Sequence, residues 1–285
     1  MTRTLWTLLL LAPTPLAAQA SLPYTFAVAP DVSMRIWVPT GTVRVETWTR
    51  DSIRVAGSIG RGAHFFGGGA GRGAKLGVEN YDSANTTLAH GDLVVTVPRR
   101  AHVWIKMTDG QVLAVRTAGE LDVITVTGTI AVQDAEGVVS VETIDADVNV
   151  ARVSGDVRAR SGGGRISLAR ILGTLTAATV SGTIELTGAS LQDARLETIG
   201  GGIIVHATVS PEALLDLETH NGPITLYLDR ERLPALSLSS RAGTVNNALG
   251  PGSAGAGRIV ARSFKGSINV VAGSGIEGRK STAPP

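Results

Sequence analysis

Between residues 125 and 270 the chain repeats itself. Thr125-Val126-Thr127-Gly128 returns as Thr143-Ile144-Asp145-Ala146, Ser161-Gly162-Gly163-Gly164 and Thr179-Val180-Ser181-Gly182, then again from Thr198, Thr219, Ser240 and Ser263. The first three steps are eighteen residues long, and the later ones run from nineteen to twenty-three. Each small or turn-forming corner opens an alternating run, as in Thr129-Ile130-Ala131-Val132, Thr183-Ile184-Glu185-Leu186 and Ser267-Ile268-Asn269-Val270. A second glycine halves the regular units, so Gly110, Gly119, Gly128, Gly137, Ala146, Gly155, Gly164, Gly173 and Gly182 lie nine apart. A period on this scale means a stacked array, in which one unit cannot bury its own apolar face.

With each glycine at position one of a nonad, positions three and five are apolar in most copies: Ile130 and Val132, Val148 and Val150, Ile166 and Leu168. Alternation places both on one face of a strand. Position eight is often apolar too (Val126, Ile144, Val153, Ile171, Val180) and is expected to turn inward. Two nonads then make one coil, and coils stack at about 4.8 Å. Glycine at position one suits a corner with positive φ. The column Thr125, Thr143, Ser161, Thr179, Thr198, Thr219, Ser240 and Ser263 reads as a structural hydroxyl stack closing each corner, not as a row of nucleophiles. The expected fold is all-β: a parallel β-solenoid, or β-helix, with coils of about 18–23 residues, preceded by a short N-terminal β segment.

Around this array the chain divides simply. Arg3, an apolar run over residues 5–11 and Ala18-Gln19-Ala20 have the form of a secretory signal peptide, expected to be cleaved after Ala20. Residues 21–106 read as the N-terminal β segment, with a glycine-rich insertion at 60–77 too poor in apolar side chains to fix itself and expected to be mobile. Residues 107–272 hold the repeats, and 273–285 read as a disordered tail; 21–272 should be one domain. Residues 211–215 could make at most one helical turn. No stretch after the signal approaches the roughly 20 apolar residues of a transmembrane helix. Export implies a secreted or periplasmic protein, and the absence of cysteine excludes a lipoprotein anchor and disulfides alike.

Composition argues against several functions. The formal net charge is +2 with signs interspersed, so nucleic acid is not an expected partner, and 4% aromatic content is meagre for stacking. Calcium-binding repeats need Asp after Gly-Gly-x-Gly-x, but Gly162-Gly163-Gly164-Arg165 and Gly200-Gly201-Gly202-Ile203 carry Arg or Ile near that place. The five histidines (His64, His90, His102, His206 and His220) show no metal-ligand spacing, although His206 and His220 fall in neighbouring coils. No nucleophile elbow or P-loop is present. For a polysaccharide lyase or hydrolase the nearest residues are Asp145 and Asp147, with Arg165 one coil on and Glu185 beyond. A deep groove lined by Asp147, Arg165 and Glu185 would favour such an enzyme. Outward charges on adjacent coils, such as Glu142 beside Arg160 and Arg195 beside Asp216, instead read as register-keeping ion pairs. Connections lengthen toward the C-terminus, at residues 228–234 and 247–256, where either binding or drift would place insertions.

The run from Gly41-Thr42-Val43-Arg44-Val45-Glu46 through Trp48, Asp51 and Val55, the segment Leu93-Val94-Val95-Thr96-Val97-Pro98, and the serial Ser/Thr-x-x-Gly-x-Ile-x-Val units together resemble the bacterial putative-adhesin domain of unknown function, the YvlB-like β-solenoid family. The resemblance covers roughly residues 24–271 and implies an exported β-solenoid without supplying catalytic residues. The expected function is a non-catalytic binding or structural module of the cell envelope. It would contact an envelope or surface glycan or protein, with possible end-to-end self-association. We expect no catalytic, cofactor-binding or metal site, and no cofactor.

Overall fold

The computed structural model describes residues 22–273 apart from 83, 85, 189, 207–211 and 254–256. The signal peptide expected at 1–20 and nearly all of the tail lie outside the described residues. The described chain is all-β, with one 3-10 turn at Arg230–Arg232 and no α-helix. Its strands form one large, mostly parallel sheet. No helix among the described residues is long and apolar enough to cross a membrane.

The eighteen-residue period becomes hydrogen-bond register. Ile130 lies beside Val112 and Val112 beside Val43. Farther on, Val148, Ile166, Ile184, Ile203, Ile224 and Ile268 follow one another. A second ladder, from the other half of each repeat, aligns Ile36, Ile105 and Val123, and later Ala159, Ala177, Leu196, Leu217 and Ala261. All these side chains are buried. Burying an Ile or Val contributes about 1.5–3 kcal/mol. Parallel pairing puts like side chains in contact all along the column, which fixes the register against one-residue slips.

Position eight divides, contrary to the single inward expectation. Val153 and Ile171 are 1% exposed, whereas Ile144 is 65% and Val180 54% exposed. The two turns of a repeat differ at position seven. In one, Asp134, Arg152 and Arg170 adopt φ of 56°, 57° and 55°, and this left-handed residue precedes the inward Val153 and Ile171. In the other, a buried Ser or Thr occupies position seven, and the next residue points out. The corner glycines divide as well. Gly128 has the expected positive φ, 112°. Gly182 needs the absence of a side chain for another reason: a Cβ there would lie 1.9 Å from the Gly164 carbonyl oxygen.

The hydroxyl column does close the later corners. The backbone N–H of Gly164, Gly201, Gly222 and Gly266 donates to the Oγ of Ser161, Thr198, Thr219 and Ser263 at 3.0, 3.1, 3.0 and 2.8 Å. The Thr198 and Thr219 hydroxyls in turn donate to the carbonyls of Gly182 and Gly201 in the preceding repeat, at 3.4 and 3.2 Å. Each hydroxyl thus stitches its own turn and the one beneath it.

Stacking departs from chain order at both ends. Arg258–Ser263 lies between Leu214–Thr219 and Ala235–Ser240, and Ile268–Ala272 between Ile224–Leu228 and Val245–Asn247. The repeat containing Ser240 is therefore outermost, and Ser263 sits inside it. The long connection at 229–234 and the described part of the later one, 248–253, belong to this leap and return. They bind each other through Ser253 N–H and Oγ to the Leu233 carbonyl at 3.1 and 2.8 Å. At the other end Ser33–Trp37 lies between Gly73–Asn80 and His102–Lys106.

The glycine-rich insertion is not loose. Ala63–Ala70 and Gly73–Asn80 form an antiparallel hairpin whose second strand joins the parallel sheet, with Phe65 buried. Ser52–Ile59 adds an antiparallel strand beside His90–Pro98, and Tyr24–Ala27 pairs antiparallel with Ser52–Ile59 in turn. The expected helical turn at 211–215 falls partly outside the described residues, and Leu214–Thr219 is a strand.

Candidate functional site

The outward turn residues and the outward ends of the second ladder face each other across the buried hydroxyl column. They form a groove of about 980 Å³ crossing six repeats. Five steps at about 4.8 Å give it a length of about 24 Å. Its floor carries Ser161, Thr179, Thr198, Thr219 and Ser263. One wall follows the ladder register through Arg160, Ala178, Glu197, Glu218, Arg262 and Ser239. The other is Val180, Ile199, His220, Phe264 and Arg241. The His220 ring stacks on Phe264 at 4.8 Å and 9°, and the Arg241 guanidinium covers the same phenyl ring at 5.3 Å. This wall presents a graded surface, aliphatic at one end and aromatic and cationic at the other.

The groove's carboxylates are already engaged. Arg195 hydrogen-bonds Glu197 on its own strand. Arg262 donates to Asp216 at 2.7 Å and to Glu218 at 3.3 Å. Arg195 and Asp216 are register neighbours as expected, but each finds its close partner elsewhere. Of the groove's arginines, Arg160 and Arg241 make no ion pair among the described residues, so the groove carries uncompensated positive charge.

The residues considered for catalysis lie apart from this groove. Asp147 Oδ1 accepts a hydrogen bond from the backbone N–H of Arg165 at 2.9 Å, which pins the two neighbouring repeats together. Glu185 stands opposite Ser167 and Ile204, not opposite another carboxylate. Asp145, Asp147, Arg165 and Glu185 do not line the groove. His206 stacks on Tyr227 at 4.0 Å and 5° on the first ladder, whereas His220 and its partner Phe264 lie in the turns beyond the second. Among the described residues, the lengthened C-terminal connections also contribute nothing to the groove.

Two further clusters were not anticipated. Along the left-handed turn, Arg152 Nε donates to Asp134 at 2.5 Å; this hydrogen bond, opposed by desolvation and aided by the Arg152 and Arg116 charges, holds the Asp134 carboxyl below its ordinary pKa. A smaller hollow of about 370 Å³ beside it is lined by Trp48, Arg99, Arg116, Asp134 and Glu136, and Arg99 pairs with Glu136 at 3.1 Å. Elsewhere His102, Glu120 and Asp122 bring one ligand atom each within 4.8 Å of one another. The signal for this cluster was the period itself: Glu120 stands eighteen residues after His102, and the register pairs them.

No family model matches the chain, and no curated protein sequence matches it. Among solved structures it is similar to a putative cell adhesion protein from Clostridium sporogenes ATCC 15579, at 9% identity over 87% of this chain and 97% of that one, with a TM-score of 0.22.

Proposed function

We propose that this chain is an exported, non-catalytic β-solenoid of the YvlB-like type, an adhesin-like module of the cell envelope whose groove holds an extended acidic glycan. In this reading the two parallel ladders are two faces of one winding ribbon, and the eighteen-residue register supports it. Export rests on Arg3, the apolar run over 5–11 and Ala18-Gln19-Ala20. The observation that carries the binding role is the groove. It is long enough for several sugar rings, and Arg160 and Arg241 are left without carboxylate partners along it. Guanidinium groups suit carboxylate, sulfate or phosphate groups bidentately, and the Phe264 and Ile199 flank offers apolar contact to ring faces. A non-catalytic role is supported by the engagement of Glu197 and Glu218 with arginines and of Asp147 with a backbone N–H.

The test is an array of acidic and neutral polysaccharides probed with the chain from residue 21 onward, repeated with Arg160→Ala/Arg241→Ala. Both side chains are solvent-facing, so the double variant should keep its circular dichroism spectrum. Selective binding to acidic polymers, weakened at least tenfold by the substitutions and by added salt, is the expected result. Equal binding of neutral polymers, or an unaffected double variant, overturns the assignment. Turnover of any glycan, abolished by Asp147→Ala, would establish the enzyme reading instead. Fractionation of the native host, with sequencing of the mature N-terminus, tests export.

A further inference from the structure

Away from the groove, on the second ladder, His102 sits on His102–Lys106 and Glu120 and Asp122 lie near the start of Ala118–Ser161 in the next repeat. Glu120 is directly opposite His102 in the parallel register, and Asp122 is two residues on, on the same face. The imidazole is held between them: Nε2 lies 2.8 Å from Asp122 Oδ2 and Nδ1 3.5 Å from Glu120 Oε2. Neither carboxylate is matched by an arginine or lysine among the described residues, in contrast to Asp134, Glu136, Glu197 and Asp216. The cations on neighbouring positions are turned elsewhere: Lys106 Nζ covers the Trp37 ring at 4.8 Å, and Trp104 separates Arg35 from Asp122 along the register. With the imidazole neutral the cluster holds two carboxylates and no counter-charge.

We propose that His102, Glu120 and Asp122 bind a divalent transition-metal ion of the zinc class. One nitrogen and two carboxylate oxygens are a three-ligand set such ions accept, with water completing a tetrahedron. Calcium and magnesium prefer all-oxygen shells, so the imidazole selects against them. Metal–donor distances of about 2.0–2.2 Å place tetrahedral ligands about 3.3–3.5 Å apart. The three donor atoms already lie within 4.8 Å of one another. The Glu120 side chain is 50% exposed and free to swing, while the better-buried Asp122, at 26%, is already seated against the ring. The site joins two successive repeats, so bound metal fastens the array at the junction between its N-terminal segment and the regular units. Water in the open positions leaves room for an external oxygen ligand.

Isothermal titration of the untagged chain from residue 21 onward with zinc chloride at pH 7.5 tests the site, together with thermal melting in zinc or in chelator. The expected result is one zinc per chain, at least tenfold weaker binding in His102→Ala and in Asp122→Asn, and a melting temperature raised by zinc in the native sequence only. Calcium and magnesium should give no comparable heat. The carboxylates and the imidazole are solvent-accessible, so both variants should fold, and their melting in chelator reports this directly. Absence of zinc binding, or binding undiminished in both variants, overturns the proposal; the second outcome would move the site to other histidines.

Discussion

Replacing Thr219 by Val tests the hydroxyl column at one of its best-formed corners. Thr219 is 2% exposed, accepts the Gly222 N–H at 3.0 Å and donates to the Gly201 carbonyl at 3.2 Å. Valine preserves the shape and adds apolar surface, but it leaves the Gly222 amide without that acceptor in a place water does not reach. An unpaired buried donor costs about 1–3 kcal/mol, and the lost hydroxyl–carbonyl bond adds to this. Thr219→Ser keeps the oxygen and loses only a methyl group, at about 0.8 kcal/mol. Valine should therefore be the worse substitution, by about 1 kcal/mol or more. Thr125 provides an internal comparison, because its hydroxyl donates to Thr143 Oγ1 at 3.1 Å and does not cap its own corner. Thr125→Val should cost less than Thr219→Val. Urea midpoints followed by far-UV circular dichroism give the ranking, and comparison of midpoints avoids assuming that a repeat array unfolds in one step. If Thr219→Val matches or exceeds Thr219→Ser in stability, the column is merely small and buried, and the capping argument fails.

The corner glycines should be still less tolerant: Gly222→Ala places a Cβ 1.8 Å from the Gly201 carbonyl, whereas Gly68→Ala meets nothing within 4 Å. The first should cost at least about 3 kcal/mol in urea denaturation and the second far less. The two kinds of position eight should separate equally clearly, with Ile171→Ala costing about 2–5 kcal/mol and Ile144→Ala within about 0.5 kcal/mol by the same measurement. Asp134 should titrate below an ordinary aspartate when its side-chain carboxyl is followed by NMR, and Arg152→Gln should return it toward normal. Because its folded pKa is the depressed one, its contribution is present above the unfolded value and disappears as pH falls through the folded value.

Register was legible because a column needs only the same residue class at the same phase, and Ile166, Ile184, Ile203 and Ile224 supply it. That uniformity concealed the ends. A strand such as Ile268–Ala272 fits equally well between Ile224–Leu228 and Val245–Asn247 or outside both, so local pattern cannot choose its neighbour. Only the longer connections hinted at the leap. The glycine-rich hairpin was hidden differently: its glycines permit close packing, since a Cβ on Gly67 would come within 2.6 Å of the Phe65 ring and one on Gly77 within 2.5 Å of the Trp37 carbonyl. A composition that suggests looseness is here a condition of contact. The groove escaped notice because Val180 and Ile199, which form its apolar wall, carry the same residue type as their buried counterparts. Periodicity gives the phase of a side chain but not which way a particular turn throws it.

The out-of-order repeats also change what the ends of the array can do. A stack of parallel strands exposes unpaired backbone at both termini and needs caps to avoid pairing with other chains. At one end Ser52–Ile59 and Ala63–Ala70 run antiparallel to the stack, Tyr24–Ala27 reverses again outside Ser52–Ile59, and Tyr24 meets Phe26 and Phe65 at 5.4 and 6.0 Å. Another parallel repeat added there would meet a glycine-rich strand of the wrong direction on one ladder and a four-residue strand on the other. At the opposite end the outermost strands are Ala235–Ser240 and the three-residue Val245–Asn247, both parallel to the repeat beneath. The shortness of Val245–Asn247 blunts that edge without closing it. The two ends are therefore unequal: both outermost strands follow the stack's direction at the C-terminal face, but only one does at the other. The chain's final described strand is not on that face: it is held between two others, and the links at 229–234 and 248–253 lock the outer repeat over it. Folded inward, Ile268–Ala272 has a strand on each side, where a linear array would leave it at an edge inclined to fray.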